Sequence, residues 1–402
     1  YMSAAYTDNK GIIRGDDFNR ITLLGKINTH ITDWLQIGMD AAYSRSDYSG
    51  VGADLWTATI LSPYGMKYRP NGELERTPDG TRGHMNPLWG IDDESKQENI
   101  EKQDNFRLNA YFSIDCPWIK GLNYKFNYSG NLNYAKTGNF IHESYFAPNG
   151  QYDEDDRYSV ATQNTYLSSA YGDLLDERTN SYVIDNILSY TKDFGKHNLS
   201  LTAVATRDYK KYVSKKLNGN DFAANGNTLL GLDGLHYASI QKFVLNNWKV
   251  TNVGYFARAS YSFNDTYYIT GSYRRDGASV FGANNKWGNF GAAGLAWRIT
   301  NEPFMKKLKA LDDMKIKVSW GRNGNQGLSQ YSTLSKVANG RDGGIYYPFG
   351  NTGKPSFGID QTTIGNPELA WETTDAWNMG FESSWFNSRL FFDLDVYLSK
   401  TC

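Results

Sequence analysis

Few side chains in this 402-residue sequence have the types and spacing that catalysis or cofactor binding requires. The five histidines show neither an HExxH motif nor a paired metal spacing, and lone surface histidines explain them better. The glycine-rich stretch 321–327 lacks the Lys-Ser/Thr ending of a phosphate loop. The chain also has no Gly-x-Ser-x-Gly elbow. We therefore predict no enzymatic activity and no cofactor.

One acidic run has the chemistry of a cation site. Asp153, Asp155 and Asp156 belong to a run of consecutive carboxylates, and carboxylate oxygens are ligands that calcium prefers. A solvated run of loop charges explains the same residues and is the commoner case. The two cysteines, Cys116 and Cys402, exclude a disulfide scaffold and a cysteine-based zinc site, and the sequence assigns them no role.

The composition excludes two broad classes of protein. With 42 Lys+Arg against 43 Asp+Glu, the chain lacks the basic excess of a nucleic-acid-binding protein. The mean hydropathy is −0.59 and no run approaches the length of a membrane helix. A polar average combined with 15% aromatic residues and 39 glycines calls for another explanation.

Strict period-two alternation is the dominant pattern, and it predicts β-strands with unlike faces. In 389–399 the even positions are apolar, while Asp393 and Asp395 lie between them. The same alternation recurs in about twelve segments of roughly 10–14 residues, which is the length that a tilted bilayer crossing needs. The predicted strands are 19–30, 34–46, 105–115, 119–135, 181–193, 197–208, 252–264, 267–277, 288–300, 312–321, 373–386 and 389–399, with a stub at 1–7.

The connections between these segments alternate in length. Links of a few residues, such as 31–33 and 264–266, alternate with long polar stretches, and the link 278–287 lies on the long side but is brief. The link 301–311 is predicted to contain a helical turn. Long loops at one end and short turns at the other are typical of outer-membrane barrels. The long stretches are 47–101, 136–180, 209–251 and 322–372.

The two faces of the strands are predicted to meet lipid and a polar lumen. The polar face carries full charges in mid-strand, whereas aromatic residues gather near strand ends, as in interfacial girdles. The alternative is that these aromatics anchor a soluble core. The mid-strand charges are Arg258, Arg274, Lys315, Lys317, Asp393 and Asp395. The strand-end aromatics are Trp34, Trp118, Tyr134, Trp297, Trp320, Trp377 and Trp385.

Three ordered motifs in the last third of the chain resemble those of a known family. They are 273–288 (YRRDGASVFG…NNKWG), 315–326 (KIKVSWG…GNQ) and 366–374 (NPELAWETT). Together they resemble the barrel of SusC/RagA-like TonB-dependent transporters of Bacteroidetes. Residues 1–250 fit this family only in their strand pattern.

The resemblance implies an all-β transmembrane antiparallel barrel of 22 strands in the outer membrane, with long extracellular loops and short periplasmic turns. We expect residues 1–402 to form a partial barrel domain, without the plug domain and the closing C-terminal strands. The implied function is TonB-dependent import of an oligomeric glycan or peptide, with a SusD-like surface lipoprotein as partner. Outer-membrane lipid is expected around the barrel, and nucleic acid is not a partner.

Aromatic residues of the long loops are the candidate substrate contacts, because their rings can stack on sugars or apolar peptide side chains. The alternative is that they hold the loops together. A different interpretation of the whole chain is a surface β-rich glycan-binding or adhesin module without a transport role. The candidate contacts are Trp56, Tyr64, Tyr68, Trp89, Tyr145, Tyr346 and Tyr347.

Overall fold

The protein is one large antiparallel sheet of thirteen strands with loops at both ends. The computed structural model describes residues 1–80, 84–91, 97–142, 145, 170–222, 227–339, 346–348 and 355–401. Among these residues, no helix is both long enough and apolar enough to cross a membrane. The thirteen strands of the sheet follow the chain order, each pairing with its neighbours, up to β11, which pairs with β16.

Most strands are long and are joined by short turns at one end of the sheet. Short strands β12–β15 lie outside the main sheet and pair as β12 with β15 and β13 with β14. The strands are β1 (Met2–Lys10), β2 (Asp17–Thr32), β3 (Leu35–Asp47), β4 (Gln97–Asp115), β5 (Leu122–Ile141), β6 (Tyr171–Phe194), β7 (His197–Phe222), β8 (Ala238–Phe263), β9 (Tyr267–Ala278), β10 (Trp287–Arg298), β11 (Leu311–Asn325), β12 (Lys336–Asn339), β13 (Tyr346–Pro348), β14 (Pro355–Phe357), β15 (Ile359–Thr363), β16 (Glu372–Trp385) and β17 (Leu390–Thr401).

The predicted strands and the predicted alternation of connections are confirmed. Each predicted segment overlaps one strand of the main sheet, and 195–196 and 264–266 form short turns at one end. The predicted helical turn between β10 and β11 is also present, as two 3₁₀ turns at Ile299–Asn301 and Met305–Lys307.

The predicted loop boundaries at the opposite end are wrong. The sequence pattern predicts a loop over 209–251, yet β7 runs to Phe222 and β8 begins at Ala238, each strand with 26 residues. The predicted loops 136–180 and 47–101 are shortened by β5, β6 and β4 in the same way. In these extensions polar residues occur on both rows, and part of one row packs against the 3₁₀ segment Asn227–Tyr237. The alternation then disappears although the ladder of backbone hydrogen bonds continues.

The apolar face of the sheet is exposed rather than packed. Ile269 of β9 and its register partner Leu295 of β10 are 53% and 54% exposed. Arg274 and Arg298 occupy the opposite, polar face of the same two strands, because successive side chains alternate between faces. Within the described residues, no second layer of structure covers the apolar rows of these strands. We call the apolar face outward and the polar face inward.

Aromatic rings form bands near both ends of the outward face. At the short-turn end, Tyr267 stacks between Phe263 and Trp297, with centroids 6.5 Å apart in both pairs. At the long-loop end, Tyr182 stacks on Tyr128 and Tyr209 with centroids 6.3 and 5.1 Å apart. Such paired bands match the interfacial girdles of a membrane barrel.

The larger of the two buried clusters in the described part of the chain lies at the long-loop end. A 3₁₀ segment, Asn227–Tyr237, packs Leu232 and Leu235 against β5–β8. Glu98 accepts a hydrogen bond from the Leu232 amide and contacts His142 Nε2 at 2.9 Å. Gly231 has φ 54° and ψ −132°, a conformation that residues with a Cβ rarely adopt, and a Cβ there would lie 1.7 Å from the Glu98 carboxylate and displace it. The buried members are Phe140, Ala170, Phe222, Leu232, Leu235 and Ala238.

Candidate ligand-binding site

The inward face is a largely polar wall whose side chains are joined by cross-strand contacts. Lys317 Nζ of β11 lies 2.6 Å from Glu382 Oε1 on β16 and 3.4 Å from Asp395 Oδ1 on β17. Gly380 leaves the space for this contact, since a Cβ there would lie 2.0 Å from Lys317 Cε. Toward the other edge of the sheet, the Asn109 amide donates to Asp40 Oδ1 at 2.8 Å. A wall of hydrogen-bonded polar groups is suited to a water-filled lumen.

A recess of about 460 Å³ opens on the inward face toward the long loops of β7–β11. Arg274 Nε donates to Asp276 Oδ2 at 2.6 Å, and Asn252 Nδ2 donates to Asp208 Oδ2 at 3.1 Å. Gly254 makes room for this arrangement, because a Cβ there would lie 2.5 Å from Asp276 Oδ1. Asn252 Oδ1 is buried and has no hydrogen-bond partner among the described residues. The recess therefore presents a cation and carboxylates to a polar ligand, and these groups are held in place by hydrogen bonds to one another and to Asn252.

An aromatic cluster forms one side of this recess. The Trp371 ring packs against Phe281 and Phe290, with centroids 4.9 and 5.4 Å away. Its Nε1 donates to the Lys286 carbonyl at 3.2 Å, which fixes the orientation of the indole. A Cβ at Gly288 would lie 2.4 Å from the Phe290 ring. Polar groups beside a fixed aromatic ring can bind either a sugar or a peptide.

The candidate residues of the first long loop are not gathered into one site. Trp56 lies on a short helix, α1 (Leu55–Ile60), and is 74% exposed, while Tyr64 is 95% exposed. Asp54 caps this helix, and its hydrogen bonds with Thr57 lower the pKa of the Asp54 carboxyl. Tyr68 is half exposed, and Lys67 Nζ lies 5.1 Å from its ring centroid.

Trp89 and Tyr145 are brought together. Trp89 is buried, and its Nε1 donates to the Tyr145 carbonyl at 2.8 Å, across two different loops. Burial raises the pKa of the Tyr145 hydroxyl. The backbones of Tyr346 and Tyr347 pair with Phe357 and Ser356 in β13 and β14. Trp89 thus contributes to packing between loops, whereas Trp56 and Tyr64 present open ring surfaces.

Metal binding finds no support in the described part of the chain. There, no three His, Cys, Asp or Glu side chains converge on one point. The calcium candidates Asp153, Asp155 and Asp156 lie outside the described residues, as does Cys402, while Cys116 is a free, partly buried thiol.

The sequence pattern did not identify the residues of the recess as a site. Trp371 lies within the third motif and Arg274 within the first, so these motifs were the sequence signal that could have pointed to the recess. Asp208 and Asn252 flank a stretch that the pattern predicts to be loop, and only their strand pairing brings them to the same place.

Comparisons with family models and with curated proteins agree on one family for this chain. The family described as TonB dependent receptor-like, beta-barrel, matches residues 33–401. The chain is 26% identical over its whole length to TonB-dependent receptor P3 of Formosa agariphila and to TonB-dependent receptor SusC of Bacteroides thetaiotaomicron. It spans 38% and 39% of the lengths of these two relatives.

Solved structures agree on the fold. The structure of the RagAB peptide transporter matches the whole chain with a TM-score of 0.68 and 21% identity, and the match covers 42% of that chain. The same importer in its closed-closed state gives a TM-score of 0.69 at the same identity and coverage. The thirteen-stranded open sheet therefore corresponds to part of a larger barrel in those structures.

Proposed function

The chain belongs to the TonB-dependent receptor β-barrel family of the outer membrane, and from that premise we propose that it serves active import of an oligomeric nutrient, a glycan or a peptide. The observation that carries this proposal is the inward wall, which is largely polar and opens into the recess beside Trp371. The outward rows are apolar and exposed, so the polar route runs across the membrane rather than along it.

The proposed partners are TonB, which supplies energy from the proton-motive force, and a SusD-like surface lipoprotein, which helps to capture the ligand. Similarity to SusC supports the lipoprotein partner. RagAB is a peptide transporter, and its likeness in fold supports a peptide as one of the two substrate classes proposed for this chain. The inward recess suits either class, so we propose both glycans and peptides as substrates.

We further propose that the loop aromatics form the outer contacts with the ligand. Trp56 and Tyr64 are the strongest of these candidates because their rings are exposed. Tyr68, Tyr346 and Tyr347 belong to the same proposal. Trp89 and Tyr145 would act by holding two loops together, since the Trp89 indole is buried against the second loop.

Uptake by cells that carry the full-length gene tests the transport proposal. Fluorescent glycan and peptide oligomers should enter wild-type cells and fail to enter when the gene is deleted or the proton-motive force is collapsed. Equal entry in all three cases would contradict import. Recovery of the full-length protein in the soluble fraction without detergent would instead support the adhesin alternative.

Binding measurements test the loop aromatics separately. Trp56→Ala and Tyr64→Ala should weaken binding of the imported oligomer several-fold, because each removes a stacking surface. Trp118→Ala is the matched control, since Trp118 is 90% exposed but lies in a turn at the opposite end of the sheet. Loss of affinity in the control as well would show that the effect is not one of ligand contact.

A further inference from the structure

A patch of basic side chains lies on the outward face of β6–β9, at the long-loop end of the apolar rows. Its members share this face with Tyr182 and Tyr209, according to the alternation and register of the strands. Among the described side chains of these outward rows, the single carboxylate is Asp176, which already accepts a hydrogen bond from the Tyr134 hydroxyl at 3.0 Å. The basic residues, all exposed, are Arg178, Arg207, Lys211, Lys215, Lys249 and Arg275.

The centre of this patch is an unfavourable pair of like charges. Lys211 and Lys249 are direct register partners across β7 and β8, and like charges in that position destabilise a sheet. Neither ammonium group forms an ion pair with any described residue of the chain. An anion from outside the chain would remove this repulsion by binding between the two lysines.

A second pair of facing lysines on the outward face is neutralised by a carboxylate of the chain itself. Lys102 and Lys136 are register partners on the outward face of β4 and β5. There the chain supplies its own anion, because Lys102 Nζ lies 3.4 Å from Asp47 Oδ2 on β3. Asp104 and Glu98 share the outward rows of β4, so charges on this sector are mixed in sign. The β6–β9 sector, by contrast, combines many cations with one carboxylate among its described outward side chains.

The position of the patch identifies the anion. Lys211 lies one step along the outward row from Tyr209 toward the long loops, and Arg207 lies one step from it in the other direction. Arg275 is held over the Trp287 ring with its guanidinium carbon 5.0 Å from the centroid. Cations at this level extend from the apolar belt to the lipid headgroups, where phosphates accept charge-assisted hydrogen bonds.

We propose that the outward face of β6–β9 binds the phosphate groups of an outer-leaflet glycolipid, with Lys211 and Lys249 enclosing one phosphate. The neighbouring arginines, Arg178 and Arg207, extend the site along β6 and β7. The glycolipid acyl chains lie against the apolar rows below, and its sugars lie beside the strand extensions. The site is independent of the inward recess and of the imported substrate.

The test uses the full-length protein in nanodiscs of phosphatidylcholine that contain phosphorylated lipid A or the same lipid A after phosphatase treatment. Native mass spectrometry counts the lipid A molecules that stay bound. Wild-type protein should retain the phosphorylated form and not the dephosphorylated form. The double variant K211Q/K249Q should bind phosphorylated lipid A about 20- to 30-fold more weakly, at roughly fivefold for each lysine near an anionic surface.

Two further variants make the result specific. K102Q/K136Q removes the lysine pair that has its own carboxylate, and its lipid A binding should stay within about twofold of wild type. K211R/K249R keeps both charges and should retain the lipid. Equal losses in K211Q/K249Q and K102Q/K136Q, equal retention of dephosphorylated lipid A, or full displacement of the lipid by inorganic phosphate would each overturn the proposal. Retention of a co-purifying protein in place of lipid would also overturn it.

Discussion

The outward and inward faces of β9, β10 and β11 differ in how their side chains are satisfied. Outward residues such as Ile269, Leu295 and Ile316 are apolar, exposed and without an apolar layer over them among the described residues. Inward residues such as Lys317 and Arg298 are polar, and each is bonded to a carboxylate on a neighbouring strand. In a soluble sheet the apolar face would be the buried one. In this chain the exposed face is the apolar one, as expected where that face meets lipid, whereas the inward side chains pair with one another across strands.

The largest expected loss of stability concerns a position where the inward face is apolar. Phe290 of β10 faces inward, is only 7% exposed and packs against Trp371. Phe290→Ala should lower the free energy of unfolding in lipid vesicles by about 3–5 kcal/mol, because it opens a cavity in a packed cluster.

The conservative variant Phe290→Leu is the control and should cost less than half as much, since it fills most of the space. A cost below about 1 kcal/mol for Phe290→Ala would mean that the cluster is not a packed core. The inward wall would then be wet throughout its length.

The strands, their order of connection and the identity of the two faces could be predicted from the sequence. Alternation is a local property, and the outward row Leu390–Leu398 is visible without any neighbour. Strand ends at the long loops could not be predicted, because alternation fades where polar residues occur on both rows of a strand.

The recess could not be predicted for a different reason. Asp208, Asn252 and Arg274 come from separate segments that cross-strand register makes neighbours, and Trp371 reaches them from the loop before β16. The like-charged pair Lys211–Lys249 is hidden in the same way, since a shift of register by one residue would turn one lysine to the other face. The loop aromatics could be proposed from residue type alone, but their burial, as at Trp89, depends on contacts between loops.

Adjacent positions on β17 give the most direct test of the two faces. Leu394 faces outward as the register partner of Phe381, and Asp393 faces inward opposite Glu382. Leu394→Arg should destabilise the full-length protein in vesicles by about 2–4 kcal/mol if Leu394 lies near the middle of the bilayer. Asp393→Ala should have little effect, because it relieves a like-charge pair and faces water.

Urea titration of the folded barrel in vesicles measures both values. Similar effects at the two positions would contradict the assignment of faces, and a larger effect at Asp393 would reverse it. A graded series sharpens the result, since Leu398→Arg lies closer to the strand end and should cost less than Leu394→Arg.

The smallest expected effect concerns an ion pair of the inward wall. Arg298 makes a two-pronged contact with Asp313 on β11, with Nε–Oδ1 and Nη2–Oδ2 distances of 3.0 and 3.1 Å. Both side chains are about 40% exposed, so water screens the pair, and Arg298→Gln should cost only about 0.5–1 kcal/mol. Arg298→Lys keeps the charge but loses the second hydrogen bond, so its stability should lie between those of the wild type and Arg298→Gln. The loss should shrink at high salt, because screening acts on exposed charges.

A loss of about 3 kcal/mol or more that salt leaves unchanged would mean that the pair is shielded from water. The inward face at this level would then be a dry contact surface, and the contrast between the two faces would be one between lipid and protein instead of lipid and water.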